Sequence, residues 1–289
     1  MITMVVSNRL PVAMNAGALL ASLLLAATAP LGAGAPFLPP QTADEKPLRR
    51  VEILVLEDRS TEVTVGLHVK LVPGWYLYWL NPGDAGLAPE VIWQLPQGFA
   101  AGRLRFPTPQ KFVHGDIVTY GFMDEILILC EIRRPATITR ADRQIIIAVL
   151  DWMACKESCL TGKTTAQVNL ASLSRADLQV SGSLFSRFSS LYPKSLSAAQ
   201  LTANEARLIR PPGRWTVEIA LSGRDAARVS DFYPYPPEDF VIDHHRITIN
   251  GGKLSIPVEP SNPSAVLFEI SGLIIIDGAG FEVSFPVKD

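Results

Sequence analysis

The chain has 289 residues, 48% of them hydrophobic and 19% charged, with 20 Gly and 23 Pro, a composition that excludes a disordered or collagen-like polymer. Its 26 Lys and Arg against 28 Asp and Glu leave a net charge of -2, without the cationic surplus that a row of phosphates demands, so nucleic acid is not an expected partner. At roughly 100 to 200 residues per domain, the length predicts two domains, each large enough for its own core.

Residues 1–35 read as a secretory signal peptide. Arg9 is the one charge up to Asn15, and Gly17 to Ala29 (GALLASLLLAATA) is apolar or small. This run of about 13 residues is shorter than the roughly 20 that a spanning helix needs, and no later stretch reaches that length. The mature chain is therefore expected to be periplasmic or otherwise exported, with no membrane span. Two Ala-x-Ala triplets, ending at Ala29 and Ala35, are the candidate cleavage sites, and an uncleaved anchor is the other reading of the segment.

From residue 45 onward, short apolar runs recur between Gly, Pro, Asn and Asp: VEILVLE from Val51, TEVTVGLHVKL from Thr61, EVIWQL from Glu90, EILILCEI from Glu125, QIIIAVLDW from Gln144 and TTAQVNL from Thr164. This spacing predicts an all-β sandwich or barrel over residues 45–171. Helical periodicity occurs in SGSLFSRFSSLYP, where Phe185, Phe188 and Leu191 predict one short helix over 184–191, stopped by Pro193. It lies in a Ser/Ala-rich linker, residues 172–206. Residues 207–289 repeat the β pattern in RWTVEIAL, DFVIDHHRITIN, KLSIPVE, AVLFEISGLIII and GFEVSFPV, with tight turns at Asn250-Gly251-Gly252 and Asp277-Gly278. A second, smaller sandwich is expected. His244 and His245 are neighbours on a predicted strand and so face opposite sides, which argues against a shared metal ion.

Three cysteines are candidates for chemistry: Cys130, Cys155 and Cys159. Alternation in EILILCEI puts Cys130 on one face with Ile126 and Ile128, the setting of an inert core thiol. Cys155 and Cys159 lie in DWMACKESCLTGK, at the end of an apolar strand and before a predicted Thr161-Gly162 turn, and in an exported chain they can form a disulfide. As a staple the bridge is weak, because closing about five residues yields about 2 kcal/mol in the chain-entropy model, against about 4.7 for a hundred-residue loop. Thiol-disulfide exchange is a second reading. Copper(I) binding by the two thiolates with Met153 or His114 is a third. Spacing alone leaves all three open.

Four ordered motifs resemble the amino-terminal periplasmic domain of DsbD-type thiol:disulfide interchange proteins, especially the branch of the copper-sensitivity suppressor ScsB. They are GWYLYWLNPGDAGLAPEVIWQLPQGF from Gly74, FPTPQKF, VTYGF and DWMACKESCLTGK. The resemblance covers about Val51 to Leu170 and, more weakly, the second half through DFYPYPPEDFVIDHH. It implies an immunoglobulin-like sandwich whose redox cysteine pair takes electrons from a membrane domain fed by cytoplasmic thioredoxin and reduces exported proteins. Cys155 and Cys159 become the redox pair, with Cys155 as the sulfur that forms the mixed disulfide. Tyr76 and Tyr78 are implied beside it, and Trp152 is grouped with them. The family shields its pair with a cap loop, here Lys111 to Gly115 (KFVHG), with Phe112 as the covering aromatic and His114 next to it. The implied partners are thioredoxin-like exported proteins and a separately encoded membrane electron-transfer protein, because the chain ends at Asp289 without the family's membrane and thioredoxin-like domains. No cofactor or metal is implied.

The expected fold is thus all-β, two immunoglobulin-like sandwiches joined by a linker with a short helix. The expected function is protein-disulfide reductase-like exchange. A non-catalytic periplasmic binding or assembly module with a structural disulfide and a copper(I)-handling protein are the alternatives. On β structure the pair lacks the helix amino terminus that lowers thiol pKa in thioredoxin-like proteins, and Lys156 and Glu157 offset each other in charge. Reactivity is therefore expected to come from the partner's activated cysteine, with the cap controlling access.

Overall fold

The computed structural model describes residues 2–4, 46–138, 144–203, 206–211 and 214–288. The expected leader lies outside these residues except for a short strand, Ile2–Met4, which pairs with residues 93–95. Among the described residues the elements are strands, one α-helix at Arg175–Phe188 and short 3-10 turns, the all-β architecture that the alternating sequence predicts. No helix among them is long and apolar enough to cross a membrane.

The first sandwich has a four-stranded antiparallel sheet in the order Leu48–Asp58, Glu62–Leu71, Glu125–Arg133 and Ala100–Arg105. The facing sheet is organised by Ile145–Cys155. On one side this strand pairs over its whole length with Cys159–Asn169. On the other it pairs first with Glu90–Leu95 and then, at Ala154 and Cys155, with Tyr76–Gly83. Tyr76–Gly83 leads on to Ile117–Met123 and to the edge strand Gln110–His114. Ile146, Ala148, Leu150 and Ala154 point inward and are fully buried, and the first three share a core with Val63, Val65, Leu67 and Val69 from the opposite sheet.

All six strands expected over residues 45–171 are present. Tyr76–Gly83, Ala100–Arg105, Gln110–His114 and Ile117–Met123 are additional, because their aromatic and glycine content masks the two-residue alternation. Thr161-Gly162 is not a turn, contrary to expectation. Residues 156–158 make the turn instead, with Lys156 N–H donating to Ser158 C=O at 3.0 Å, and Cys159–Asn169 runs straight through Gly162. Glycine is needed there for a different reason: it faces Trp152, and a Cβ would lie 2.5 Å from the indole ring.

The helix also begins earlier than predicted, because Ser174 and Asp177 form a capping box that fixes its start at Arg175. It covers the outer face of the four-stranded sheet, and Phe188 at its end and Tyr192 just beyond it are buried against Leu127 and Leu129. Both faces of the strand Glu125–Arg133 are thereby buried from Ile126 to Cys130, which accounts for the continuous apolar run in EILILC where a half-wet strand would alternate.

The second sandwich runs Val229–Pro234, Glu269–Ile276, Ala279–Lys288, Ala206–Ile209, Trp215–Ser222, Lys253–Pro260 and Phe240–Ile242 around a core that includes Ile219, Phe232, Ile256 and Ile274. The segment DFVIDHHRITIN is not one strand. A 3-10 turn at His244–Arg246 breaks it, burying His244 and leaving His245 exposed. Leu273, Ile275, Tyr233 and Tyr235 reach across to the first core, so the two sandwiches share a packed junction.

Candidate functional site

Strand register gathers the site. Residues directly opposite each other on antiparallel strands share a face. Cys155 lies opposite Cys159 on one side and opposite Tyr76 on the other, Tyr78 lies opposite Gly121, and Phe112 lies opposite Thr119. Two cysteines, two tyrosines and one phenylalanine from four chain segments thus occupy the outer face of one sheet, on the side away from the sandwich core.

Cys155 and Cys159 form a disulfide across the end of their hairpin, with Cα atoms 4.1 Å apart. Tyr78 Oη is 3.2 Å from Cys155 Sγ, and Tyr76 Oη is 3.2 Å from Tyr78 Oη. A bridged sulfur carries no hydrogen, so Tyr78 O–H donates to Cys155 and accepts from Tyr76 O–H. Burial holds the Tyr78 hydroxyl well above the ordinary phenol range, which keeps its proton in place. The Tyr76 ring meets Tyr78 edge-on at 5.2 Å, and Phe112 lies over Tyr76 at 5.0 Å between centroids with a 37° tilt. Phe112, Tyr76, Tyr78 and Cys155 form one unbroken chain of contacts.

The two sulfurs differ in access. Cys155 is 2% exposed, enclosed at the end of an interior strand beneath the tyrosines. Cys159 opens the outermost strand and is exposed, as are Lys156, Glu157 and Ser158 of the turn. Cys155 is the sulfur expected from the sequence to form the mixed disulfide, but of the two it is Cys159 that solvent reaches.

His114 ends the edge strand and is exposed, opposite Ile117. Trp152 is not beside the sulfurs. It occupies the other face of its strand, packed against the first core, with Nε1–H donating to Thr164 Oγ1 at 3.0 Å. Cys130 is fully buried, its S–H directed at Gly102 C=O at 3.5 Å, and burial pushes its thiol up to about 12. Sequence reading missed Gly86. It adopts φ +102°, and a Cβ on it would fall 2.2 Å from Tyr78 Cζ, so only glycine lets this loop lie on the tyrosine ring. The run GDAGLAP directly after a strand was the available signal.

Residues 45–171 match the family described as thiol:disulfide interchange protein DsbD, N-terminal. The N-terminal periplasmic domain of ScsB from Proteus mirabilis shares the fold, with a TM-score of 0.62 and 19% identity over 82% of this chain and 92% of its own. The N-terminal domain of DsbD from Neisseria meningitidis, in its reduced form, aligns with 46% of this chain and 88% of its own at 16% identity and a TM-score of 0.28. No curated protein matches the chain.

Native oxidised protein is expected to resist iodoacetamide, because its one free thiol is buried and protonated. Unfolding without reductant should then add one label per chain, on Cys130. Peptide mass mapping checks this, and rapid native labelling of Cys130 or a bridge to it would contradict the assignment.

Proposed function

We propose that this chain, whose residues 45–171 form a domain of the DsbD amino-terminal family, is an exported thiol-disulfide exchange protein that relays electrons through Cys155 and Cys159. Its partners in this reading are thioredoxin-like exported proteins and a separately encoded membrane electron-transfer protein. The accompanying organisation is a leader over 1–35, the redox sandwich over 45–171, a linker over 172–206 and the second sandwich over 207–289. One observation carries the proposal: an exposed sulfur is bridged to a buried sulfur that already holds a proton donor.

The chemistry follows from that asymmetry. A partner thiolate attacks Cys159 Sγ, a new sulfur–sulfur bond forms to Cys159, and the Cys155–Cys159 bond breaks with its electron pair leaving on Cys155. Tyr78 O–H then points at a thiolate instead of a neutral sulfur, and a hydrogen bond to a charged acceptor is roughly twice as strong as a neutral one. The partner's second thiolate attacks its own sulfur in the mixed disulfide and releases Cys159. Two electrons have passed to this chain, which is left as the dithiol. Run in reverse, the Cys159 thiolate attacks a partner disulfide and Cys155 resolves the intermediate. Phe112 acts as a cap on the Cys155 side of the bridge, by holding Tyr76 against Tyr78.

The cysteine roles separate in single variants. Cys155→Ser should accumulate a stable mixed disulfide with a thioredoxin-like protein through Cys159, whereas Cys159→Ser should not; non-reducing gels read the difference. Either change should lower unfolding free energy by only about 2 kcal/mol in a denaturant titration, as a short loop requires. A loss of 4 or more, without trapping, would mark the bridge as a staple. Tyr78→Phe keeps the ring and removes the donor, and should slow thiol attack about tenfold, equal to about 1.4 kcal/mol, within the range of a hydrogen bond to a charged group. Phe112→Ala should speed dithiothreitol reduction of the bridge with a stability loss below the roughly 3 to 5 kcal/mol of an emptied core aromatic site.

A further inference from the structure

The hairpin that carries Phe112 has a second face. Phe112 and its cross-strand partner Thr119 look toward the tyrosines and the disulfide. Lys111 and its partner Tyr120 look the other way, toward the second sandwich. That inner face is occupied residue by residue. Lys111 Nζ lies 2.9 Å from Asp231 Oδ2, with both side chains less than a quarter exposed. The Tyr120 ring lies 4.9 Å from Tyr233, and its hydroxyl hydrogen-bonds His244 Nδ1 at 3.3 Å. Asn81 Nδ2 donates to Pro234 C=O at 2.8 Å, while Asn81 Oδ1 accepts from Gly83 N–H where Tyr76–Gly83 ends. At the hairpin tip, His245 Nε2 approaches Asp116 Oδ1 at 4.0 Å.

The contacting groups of the second sandwich are themselves fixed. Asp231 sits at a β-bulge in the ladder with Glu269–Ile276, and its second oxygen accepts its neighbour Phe232 N–H at 2.8 Å. Tyr233 stands in the same ladder, opposite Leu273. A rigid strap, Asp231 to Tyr235, therefore braces the back of a strand whose front carries the cap. The strand itself is an edge with one ladder neighbour, so backbone pairing restrains only one of its sides.

We propose that the second sandwich positions the cap: Asp231, through Lys111, together with the Tyr233 and His244 seat for Tyr120, holds the 110–123 hairpin so that Phe112 stays on Tyr76. Access to the Cys155 side of the disulfide is then set across the domain junction, and Asp231 and Lys111 are positioning residues that touch neither sulfur. This rests on the cap reading of Phe112 given above. It assigns a role to DFYPYPP, a sequence feature that the exchange chemistry leaves unused. The balance of forces suits a latch, since a partly exposed ion pair contributes modestly and can yield when a partner binds.

The test uses the full mature chain in its oxidised form, with dithiothreitol as reductant. Asp231→Asn keeps an oxygen for Phe232 N–H and removes the charge; Lys111→Met removes the other charge and keeps the stem. Each should accelerate reduction three- to tenfold, up to the limit set by Phe112→Ala. The double variant should be no faster than either single one, because both delete the same contact. Asp231→Glu should restore a rate near wild type. Wild-type rates in both single variants with fast reduction in Phe112→Ala would overturn the latch and leave the exchange function standing. Unchanged rates in all three would remove the cap itself. Acceleration matched by equally faster alkylation of Cys130 would also overturn it, since that buried thiol reports general loosening.

Discussion

The whole site depends on a change of neighbour along one strand. Ile145–Cys155 pairs with Glu90–Leu95 through its middle, then takes Tyr76–Gly83 as its neighbour at Ala154 and Cys155. At the point of exchange, Cys155 has Cys159 on one side and Tyr76 on the other. Because side chains alternate, a slip of one residue in either ladder would turn the sulfurs or the tyrosines into the core. The apolar residues Ile146, Ala148, Leu150 and Ala154 prevent it: shifting them outward would expose four fully buried side chains. Core packing thus fixes the geometry of the cysteine pair and its tyrosines.

This dependence explains what the sequence made legible. Regular alternation in TEVTVGLHVKL and the short unbroken apolar run in QIIIAVLDW made those strands readable, and the cysteine pair with its flanking motifs pointed to the chemistry. The 110–123 hairpin was harder to see as structure, since Gln110–His114 and Ile117–Met123 are short and their residues answer to three surfaces: the tyrosines, the first core and the second sandwich. The order of access at the two sulfurs was hidden for a related reason. It depends on which of two adjacent strands lies at the sheet edge, and that is a property of pairing order that local spacing does not encode. Trp152 shows the same limit, being three residues from Cys155 and yet on the opposite face. His244 shows it too, because a 3-10 turn replaces the strand that its surroundings suggest.

A disulfide at the tip of a β-hairpin also constrains what reduction does to the protein. The bridge closes a loop of only three intervening residues, and the ladder of Ile145–Cys155 with Cys159–Asn169 supplies the remaining pairing. Breaking it frees little chain entropy and leaves the sheet intact, so oxidised and reduced forms differ chiefly at the sulfurs and their cover. A site of this kind gains little driving force from folding. It lacks the helix amino terminus that activates thioredoxin-like cysteines, and its electrostatic help is the donor from Tyr78. What the fold does distinguish is exposure: Cys159 is open at the turn, Cys155 is enclosed, and the ring of Phe112 lies on Tyr76, the cross-strand neighbour of Cys155. The second sandwich is fastened to the reverse of the 110–123 hairpin, so the bracing falls behind Phe112 and not on the turn that leads to Cys159.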